Sequence, residues 1–188
     1  MTASVPPALD ERFRAAAAEE GLLDAAYDVT ETPIGTLLVA ATHRGLCKIS
    51  FRADPEAARE ELARAFGPRV LRASRPVDRA RRELDEYFAV RRHEFDLSLD
   101  LRAIPDFHVD VLRELAQVPY GTTTTYGALA RQVGRPQAAR AVGTVMNRNR
   151  IPIVLPCHRV VGANGSLVGY AGGLELKERL LRLEGALL

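Results

Sequence analysis

A cysteine with a histidine and an arginine directly after it is the strongest chemical feature of this 188-residue sequence. Cys157, His158 and Arg159 follow Pro156 and an apolar, β-prone run at residues 151–155. A free thiol titrates at about 8.5, so at neutral pH it is mostly protonated and a weak nucleophile. An imidazole that accepts the proton and a nearby positive charge make it reactive. The motif indicates an ionised, accessible cysteine nucleophile at the end of a strand. His158 is expected to act on it through a water or a turn rather than by direct contact, because neighbouring side chains on a regular element point apart.

The alternative interpretation of Cys157 is a packed, unreactive core residue. Cys47, within a β-prone run, fits that description better and is predicted to lie in the core. Two cysteines so far apart do not indicate a disulfide framework. The histidines and cysteines also lack the spacing of a zinc site, so we expect neither a metal nor a cofactor.

Basic side chains are concentrated in the C-terminal third of the chain. Residues 120–188 contain nine basic and three acidic side chains, and no Asp or Glu occurs at residues 115–174. A surface made from this stretch would attract a polyanion, most commonly nucleic acid. The alternative is that acidic residues of the N-terminal half neutralise it. The stretch contains Arg131, Arg135, Arg140, Arg148, Arg150 and Arg159.

The overall composition is that of a globular protein. Hydrophobic residues make up 47% of the sequence, which is enough for a packed core. No apolar run approaches the roughly 18 residues that a membrane span needs, and residues 1–20 lack the apolar centre of a signal peptide. We therefore predict a cytoplasmic protein without membrane contact.

Helices and strands alternate irregularly in the N-terminal half, which favours an α+β fold. Residues 1–24 have the composition of a helical extension, and Thr42 to Gly45 suits a hairpin turn between two strands. Pro55 and Gly67 bracket a helix. The predicted elements are strands at residues 35–41, 46–51 and 94–101 and helices at residues 55–66 and 77–90. We predict domains at residues 25–102 and 103–188 after the extension.

The C-terminal half has the outline of a helix-turn-helix. A helix at residues 107–117 precedes a short helix at residues 126–133, whose N-terminus Thr122 to Thr125 can cap. A break at residues 134–136 then leads to a second helix at residues 137–147. Arg140 lies about one turn into that helix, where recognition residues meet a groove.

Several ordered blocks of this half resemble one protein family. They are Tyr126-Gly-Ala-Leu-Ala, Arg135-Pro-Gln-Ala-Ala-Arg140-Ala-Val-Gly143, Ile151-Pro-Ile-Val-Leu-Pro-Cys157-His-Arg-Val-Val161, Gly165-Ser-Leu-Val-Gly-Tyr170-Ala-Gly-Gly173 and Lys177-Glu-Arg-Leu-Leu-Arg-Leu-Glu184-Gly185. Together they closely resemble the O6-alkylguanine-DNA alkyltransferases over residues 107–185. Upstream, Thr32-Pro-Ile-Gly-Thr-Leu and Leu84-Asp-Glu-Tyr-Phe resemble the family's N-terminal domain more loosely.

The resemblance implies a small ribonuclease-H-like N-terminal domain and a mainly helical, winged helix-turn-helix C-terminal domain. It implies a monomer that binds alkylated double-stranded DNA in the minor groove and rotates the damaged nucleotide out of the stack. The alkyl group of O6-alkylguanine, and of O4-alkylthymine, would then pass to Cys157. Transfer would be stoichiometric and irreversible, since a thioether has no easy reverse.

The resemblance also assigns roles to residues. Cys157 accepts the alkyl group, His158 draws its proton through water, and Glu184 orients His158. Tyr126 crowds the target phosphate and hydrogen-bonds the base, and Asn149 braces the turn before the cysteine.

Further positions contact DNA or shape the base pocket. Arg140 fills the space that the base leaves, the Ala171 backbone N–H faces O6, and Lys177 supports Tyr126. The DNA-binding positions are Thr122, Tyr126, Arg135, Ala139, Arg140 and Gly143. The pocket positions are Met146, Val160, Tyr170, Ala171, Gly172 and Lys177.

The sequence departs from the family pattern at two positions. Leu112 stands where a Trp is usual, which changes core packing, and Arg150 replaces the Pro that usually follows Asn149, which bears on the rigidity of that turn. Two other functions are alternatives, namely a non-catalytic helix-turn-helix regulator and a Cys-His hydrolase of small substrates.

Overall fold

The chain forms two compact units in a computed structural model that describes residues 6–187. The first unit is the chain up to Asp85 together with Leu97–Ala103, and the second is Glu86–Asp96 together with the chain from Ile104. The predicted boundary at residues 102/103 did not anticipate that residues 86–96 group with the second unit. Residues 1–5 of the predicted extension lie outside the described residues, as does residue 188.

The first unit is a four-stranded sheet with helices. Its elements are α1 (Pro7–Glu19), β1 (Ala25–Thr32), β2 (Gly35–Thr42), β3 (Gly45–Ser50), α2 (Pro55–Phe66), β4 (Val70–Arg72), a 3₁₀ turn (Arg75–Val77) and the larger part of α3 (Asp78–Phe88). The strand order is β3-β2-β1-β4, with β4 parallel to β1 and the other pairs antiparallel. The predicted hairpin is confirmed, since Thr42 pairs with Gly45.

Helix α2 begins and ends where its capping residues predict. Pro55 occupies the first turn, Asp54 accepts a hydrogen bond from the Ala57 N–H, and Gly67 ends the helix with φ 128°. Leu62 packs into the same buried cluster as the sheet residues, and so does Cys47. Cys47 is only 1% exposed and donates its S–H to the Ala40 carbonyl, so its prediction as a core residue is confirmed.

The strand predicted at residues 94–101 is wrong. Only Leu99 forms a bridge, to Leu46. The backbone there runs so close to β3 that a Cβ on Gly45 would lie 2.1 Å from the Ser98 carbonyl oxygen. Backbone hydrogen bonds join this segment to β3 at Leu46, whose N–H donates to the Ser98 carbonyl and whose carbonyl accepts from the Asp100 N–H. The Asp100 carboxylate accepts hydrogen bonds from Thr42 and Arg102.

The second unit is mainly helical. Its elements are α4 (Asp106–Ala116), β5 (Thr124–Thr125), α5 (Tyr126–Gln132), α6 (Ala139–Asn147), a 3₁₀ turn (Cys157–Arg159), β6 (Val160–Val161) and α7 (Leu174–Leu183). The Thr125 hydroxyl caps α5 by accepting from the Ala128 N–H, and Gly134 takes φ 70° in the turn before α6. The helix-turn-helix outline and the α+β class are confirmed, and its winged form stays a prediction.

The helix-turn-helix pair packs on the buried side of α4. Leu112, the first departure from the family pattern, is 1% exposed and shares that face with Val111 and Leu115, so the smaller side chain is accommodated in the core. Helix α6 starts at Ala139 rather than residue 137. Arg140 is therefore its second residue, in the first turn rather than one turn along.

Two kinds of feature are absent from the part of the chain that the structure describes. No helix within residues 6–187 has the length and apolar character to cross a membrane. Nor do three or more His, Cys, Asp or Glu side chains come together there as possible metal ligands.

Candidate active site

The apolar run that leads to Cys157 is buried but is not a strand, which corrects the sequence prediction. Ile153 has φ 75°, a left-handed conformation that β-branched residues rarely adopt. The Asn149 amide holds the segment, since its Nδ2 donates to the Leu155 carbonyl at 2.7 Å and its Oδ1 accepts from the Ile151 N–H at 3.0 Å. The run is apolar because it is buried, and a side chain supplies hydrogen bonds that a neighbouring strand would otherwise provide. It delivers Cys157 on a 3₁₀ turn.

Cys157 is a buried thiol, with only 3% of its surface exposed. Burial raises its pKa to about 11, although a hydrogen bond with Asn149, the charge of Lys177 and backbone N–H groups act in the opposite direction. The expected accessible thiolate is therefore not the resting state. At neutral pH the sulfur is protonated, and it needs a base before it can react.

His158 is such a base. Its ring is completely buried, and its Nε2 lies 2.8 Å from the Glu184 Oε1. Because that nitrogen must donate to a carboxylate, the neutral ring carries its lone pair on Nδ1, which has no hydrogen-bond partner among residues 6–187. Burial lowers the pKa of His158 despite the opposing effect of Glu184. The ring is therefore neutral at pH 7, and its Nδ1 can accept a proton. His158 directly follows Cys157 in the chain.

Glu184 is the centre of a buried polar cluster at the C-terminal end of α7. Arg159 donates to both of its oxygens, from Nε at 2.8 Å and from Nη2 at 2.9 Å, and Tyr87 donates its hydroxyl to Oε1 at 2.8 Å. Burial raises the pKa of Glu184, but hydrogen bonds and charges from His158 and Arg159 outweigh it and hold the pKa at about 2. The carboxylate stays ionised and acts only as an acceptor.

Two members of this cluster were not foreseen. Arg159 was counted with the basic surface, but it is 6% exposed and its Nη1 donates to the Val118 carbonyl at 2.5 Å. Tyr87 is fully buried and lies 97 residues from Glu184 in the chain. Charge counting cannot separate a buried arginine from an exposed one. The Tyr87 contact leaves no local pattern in the sequence.

Tyr126 and Lys177 are joined through one carbonyl group. The Tyr126 hydroxyl donates to the Val168 carbonyl at 3.2 Å, and the Lys177 Nζ donates to the same oxygen at 2.7 Å and to the Val160 carbonyl at 2.5 Å. Burial lowers the pKa of Lys177 to about 8, while Cys157 opposes that shift. Burial also raises the pKa of Tyr126, helped by the charge of Cys157. Both groups thus lie near the sulfur, and Tyr126 stays protonated.

The remaining pocket positions differ in burial. Met146, Val160 and Lys177 are buried, Tyr170 and Gly172 are half-buried, and Ala171 is exposed. Burial raises the pKa of Tyr170, and charges on Cys157 and Glu184 raise it further, so Tyr170 also lies near the sulfur. The irregular segment at residues 168–173 therefore contributes to the surroundings of Cys157.

The predicted DNA-binding positions lie on the helix-turn-helix. Arg140 is exposed at the start of α6, and Arg135 is exposed with its guanidinium 4.9 Å from the centre of the Phe107 ring. Thr122 is exposed and donates to the Pro119 carbonyl at 2.8 Å. Ala139 and Gly143 are half-buried, and a Cβ on Gly143 would lie 3.8 Å from the Tyr126 ring. Arg131 and Arg148 are exposed as well.

Two family models match the chain in succession. Residues 25–101 match the 6-O-methylguanine DNA methyltransferase, ribonuclease-like domain, and residues 106–186 match the 6-O-methylguanine DNA methyltransferase, DNA binding domain. The two matches follow the order of the domains that the sequence predicted.

Known proteins resemble the chain over most of its length. It is 41% identical over 160 residues to a methylated-DNA--protein-cysteine methyltransferase of Methanosarcina acetivorans, covering 85% of this chain and 98% of the relative. It is 41% identical to a protein of the same description from Mycolicibacterium paratuberculosis, covering 84% and 91%. The Mycobacterium tuberculosis OGT structure in complex with DNA matches with a TM-score of 0.74 and 38% identity, covering 86% of this chain and 93% of that one. The resemblance seen in the sequence is thereby confirmed, and the chain belongs to the 6-O-methylguanine DNA methyltransferase family.

Proposed function

We propose that this protein repairs DNA by transferring the alkyl group of O6-alkylguanine to Cys157, once per molecule and irreversibly, and that it accepts O4-alkylthymine in the same way. The observation that carries the proposal is the arrangement of Cys157, His158 and Glu184. Cys157 is buried, the next residue is the neutral His158, and His158 Nε2 lies 2.8 Å from Oε1 of the ionised Glu184. Such an arrangement generates a thiolate only when a base takes the proton.

The chemistry balances with groups present in the site. The Cys157 proton passes to His158, directly or through water, and the sulfur attacks the carbon bound to O6. The S–C bond forms as the C–O bond breaks, and the electron pair leaves with guanine. Tyr126 can donate its proton to that leaving group. The proton that His158 took from Cys157 then replaces the one that Tyr126 lost. Glu184 stabilises the imidazolium as a fixed negative charge, because its low pKa keeps it from taking the proton.

The burial of the sulfur fits a protein that reacts only with an extruded base. A base inside the duplex hides the atom to be attacked, so it must leave the stack. Because Cys157 is 3% exposed, residues 168–173 would shift to admit a purine. That segment has exposed and half-buried residues, and a hydrogen bond from Tyr126 and the buried Lys177 hold its Val168 end.

The exposed arginines of the second unit suit the phosphate backbone. Arg131, Arg135, Arg140 and Arg148 are exposed in a stretch without acidic residues. We place the start of α6 in the minor groove, with Arg140 in the space left by the extruded base. The protein would act as a cytoplasmic monomer.

Mass spectrometry tests the proposal. After incubation with excess O6-methylguanine duplex, the protein should gain one methyl group, located on the peptide that contains Cys157. Unalkylated duplex should add nothing. O4-methylthymine duplex should add the same group, and the ratio of the two transfer rates measures the substrate range.

Two variants serve as controls for that experiment. Cys157→Ala should gain no methyl group, whereas Cys47→Ala should gain one like the wild type. A methyl group on Cys47 instead would refute Cys157 as the acceptor. An unmodified wild-type protein that still binds the duplex would refute alkyl transfer and favour the helix-turn-helix regulator. Repeated turnover of a small substrate would favour the hydrolase.

Tyr126→Phe is expected to slow transfer roughly 10- to 100-fold, because the leaving guanine loses its proton donor. The measurement is the single-turnover rate with saturating alkylated duplex, together with the affinity for that duplex. Affinity should change little, since the substitution keeps the ring and removes only the hydroxyl. Tyr27→Phe, in the core of the first unit, is the matched control. A wild-type rate in Tyr126→Phe would leave this hydroxyl with a packing role only.

A further inference from the structure

Glu184 is held by a residue that the relay described above does not use. Tyr87 donates to Glu184 Oε1 at 2.8 Å, and His158 Nε2 contacts that same oxygen at 2.8 Å. Burial raises the pKa of Tyr87 far above its ordinary value, with the charge of Glu184 as the second cause. The Tyr87 hydroxyl therefore stays protonated and always donates this hydrogen bond, and the Glu184 carboxylate always accepts it.

The environment of Tyr87 fixes its ring as well. The ring centre lies 5.3 Å from that of Phe88, 5.5 Å from that of Phe95 and 6.2 Å from that of Tyr120. The His93 ring stacks on the Tyr120 ring, with 4.1 Å between the two ring centres. The aromatic side chains within residues 86–96 are thus grouped around Tyr87 beside the Glu184 cluster, within the second compact unit.

The hydrogen-bonding capacity of Glu184 is then filled. Oε1 accepts from Tyr87, His158 and Arg159 Nη2, and Oε2 accepts from Arg159 Nε, with the Gly121 N–H at 3.4 Å. A carboxylate offers about four lone-pair sites. With three donors on one oxygen, each donor limits how strongly the others bind, and the share left for His158 depends on Tyr87.

We propose that Tyr87 is a positioning residue of the Cys157–His158–Glu184 relay, whose hydroxyl fixes the Glu184 carboxylate and limits its pull on the His158 proton. The inference rests on the proposed function, because it assigns a further residue to that same site. It also gives residues 86–96 a role in the chemistry, although they belong to the part of the chain matched by the ribonuclease-like domain model.

Other charged groups that act on the relay stay in place when Tyr87 is changed. His158 is influenced by Glu184, Arg159 and Lys177, and it lies next to Cys157 in the chain. Burial is the main cause that raises the pKa of Tyr120, Tyr170 and Tyr87, and the charge of Glu184 raises all three further. Tyr87 donates a hydrogen bond to Glu184 through its hydroxyl, whereas the Tyr120 hydroxyl donates to the Leu183 carbonyl, so removing the Tyr87 oxygen isolates the contact.

The test is Tyr87→Phe, which keeps the ring and removes only the hydroxyl. Without this donor, Glu184 attracts the His158 proton more strongly, and the pKa of His158 should rise by roughly half to one unit. An NMR titration of the His158 ring in the DNA-free protein measures it. Alkyl transfer should slow roughly tenfold, and the acidic limb of its pH profile should move to higher pH, because transfer needs neutral His158.

Tyr120→Phe is the matched control. The Tyr120 hydroxyl donates to the Leu183 carbonyl at 3.1 Å, next to Glu184 in the chain, so its loss should leave the His158 titration where it is in the wild type. An unchanged His158 pKa in folded Tyr87→Phe would overturn the proposal. Failure of the wild type to gain an alkyl group overturns the proposed function instead, and the titration, which needs no substrate, keeps the two results apart.

Discussion

Glu184→Gln is expected to lower the free energy of unfolding by about 3–5 kcal/mol at neutral pH and to slow alkyl transfer roughly 10- to 100-fold. The amide keeps the shape of the side chain but removes the negative charge. Arg159 would remain buried without a counter-charge, and His158 would lose the acceptor that fixes its ring. Chemical denaturation and single-turnover transfer measure the two effects.

The stability difference should depend on pH in a defined direction. The folded-state pKa of Glu184 is about 2, below its ordinary value of 4.5. Its contribution is therefore fully present above about pH 4.5 and disappears as the pH falls toward 2. The wild type and Glu184→Gln should converge in stability over that range.

Glu178→Gln is the control for this prediction. Glu178 lies on the same helix, but its pair with Arg182 is exposed, so its loss should cost less than about 1 kcal/mol. Equal stability of Glu184→Gln and the wild type at pH 7 would contradict the buried cluster as the cause.

Arg140→Ala should slow repair of alkylated duplex by roughly 10- to 100-fold and leave the reaction with free O6-benzylguanine nearly unchanged. The arginine would stabilise the extruded state, in which unstacking costs a few kcal/mol, whereas a free base needs no extrusion. Arg140 is exposed and lies far from the core, so folding should not be affected. The ratio of the two single-turnover rates is the measurement.

Arg148→Ala provides a control for lost charge. Arg148 is exposed just after the other end of α6, and its removal should weaken duplex binding in a salt-dependent way without changing the rate at saturation. If Arg140→Ala slowed both substrates equally, Arg140 would not fill the space left by the base.

Local signals in the sequence were sufficient for much of the fold. Pro55 with Gly67, and Thr125 before α5, mark helix ends by their own backbone and capping preferences. The residue types alone indicate the Cys157-His158 pair, the family resemblance adds Glu184, and the structure brings His158 and Glu184 into contact.

The features that the sequence did not reveal depend on distant contacts. The apolar residues before Cys157 have strand composition, but the Asn149 side chain satisfies their backbone. Arg159 has the charge of a surface residue, and its burial is explained by Glu184, 25 residues further along, and by the Val118 carbonyl. Tyr87 reads as an ordinary core position on a helix face. In each case a side-chain hydrogen bond determines the local structure, and secondary-structure propensity gives no sign of that bond.

Cys157 is 3% exposed and its chain neighbours Leu155 and His158 are buried as well, and protein interiors are generally close-packed. A methyl group on the sulfur would need volume that the resting packing does not provide, and overfilling such a site usually costs about 1–3 kcal/mol. The spent molecule should therefore unfold at a lower denaturant concentration than the fresh one. Steric strain at the acceptor would thus distinguish protein that has reacted from protein that has not.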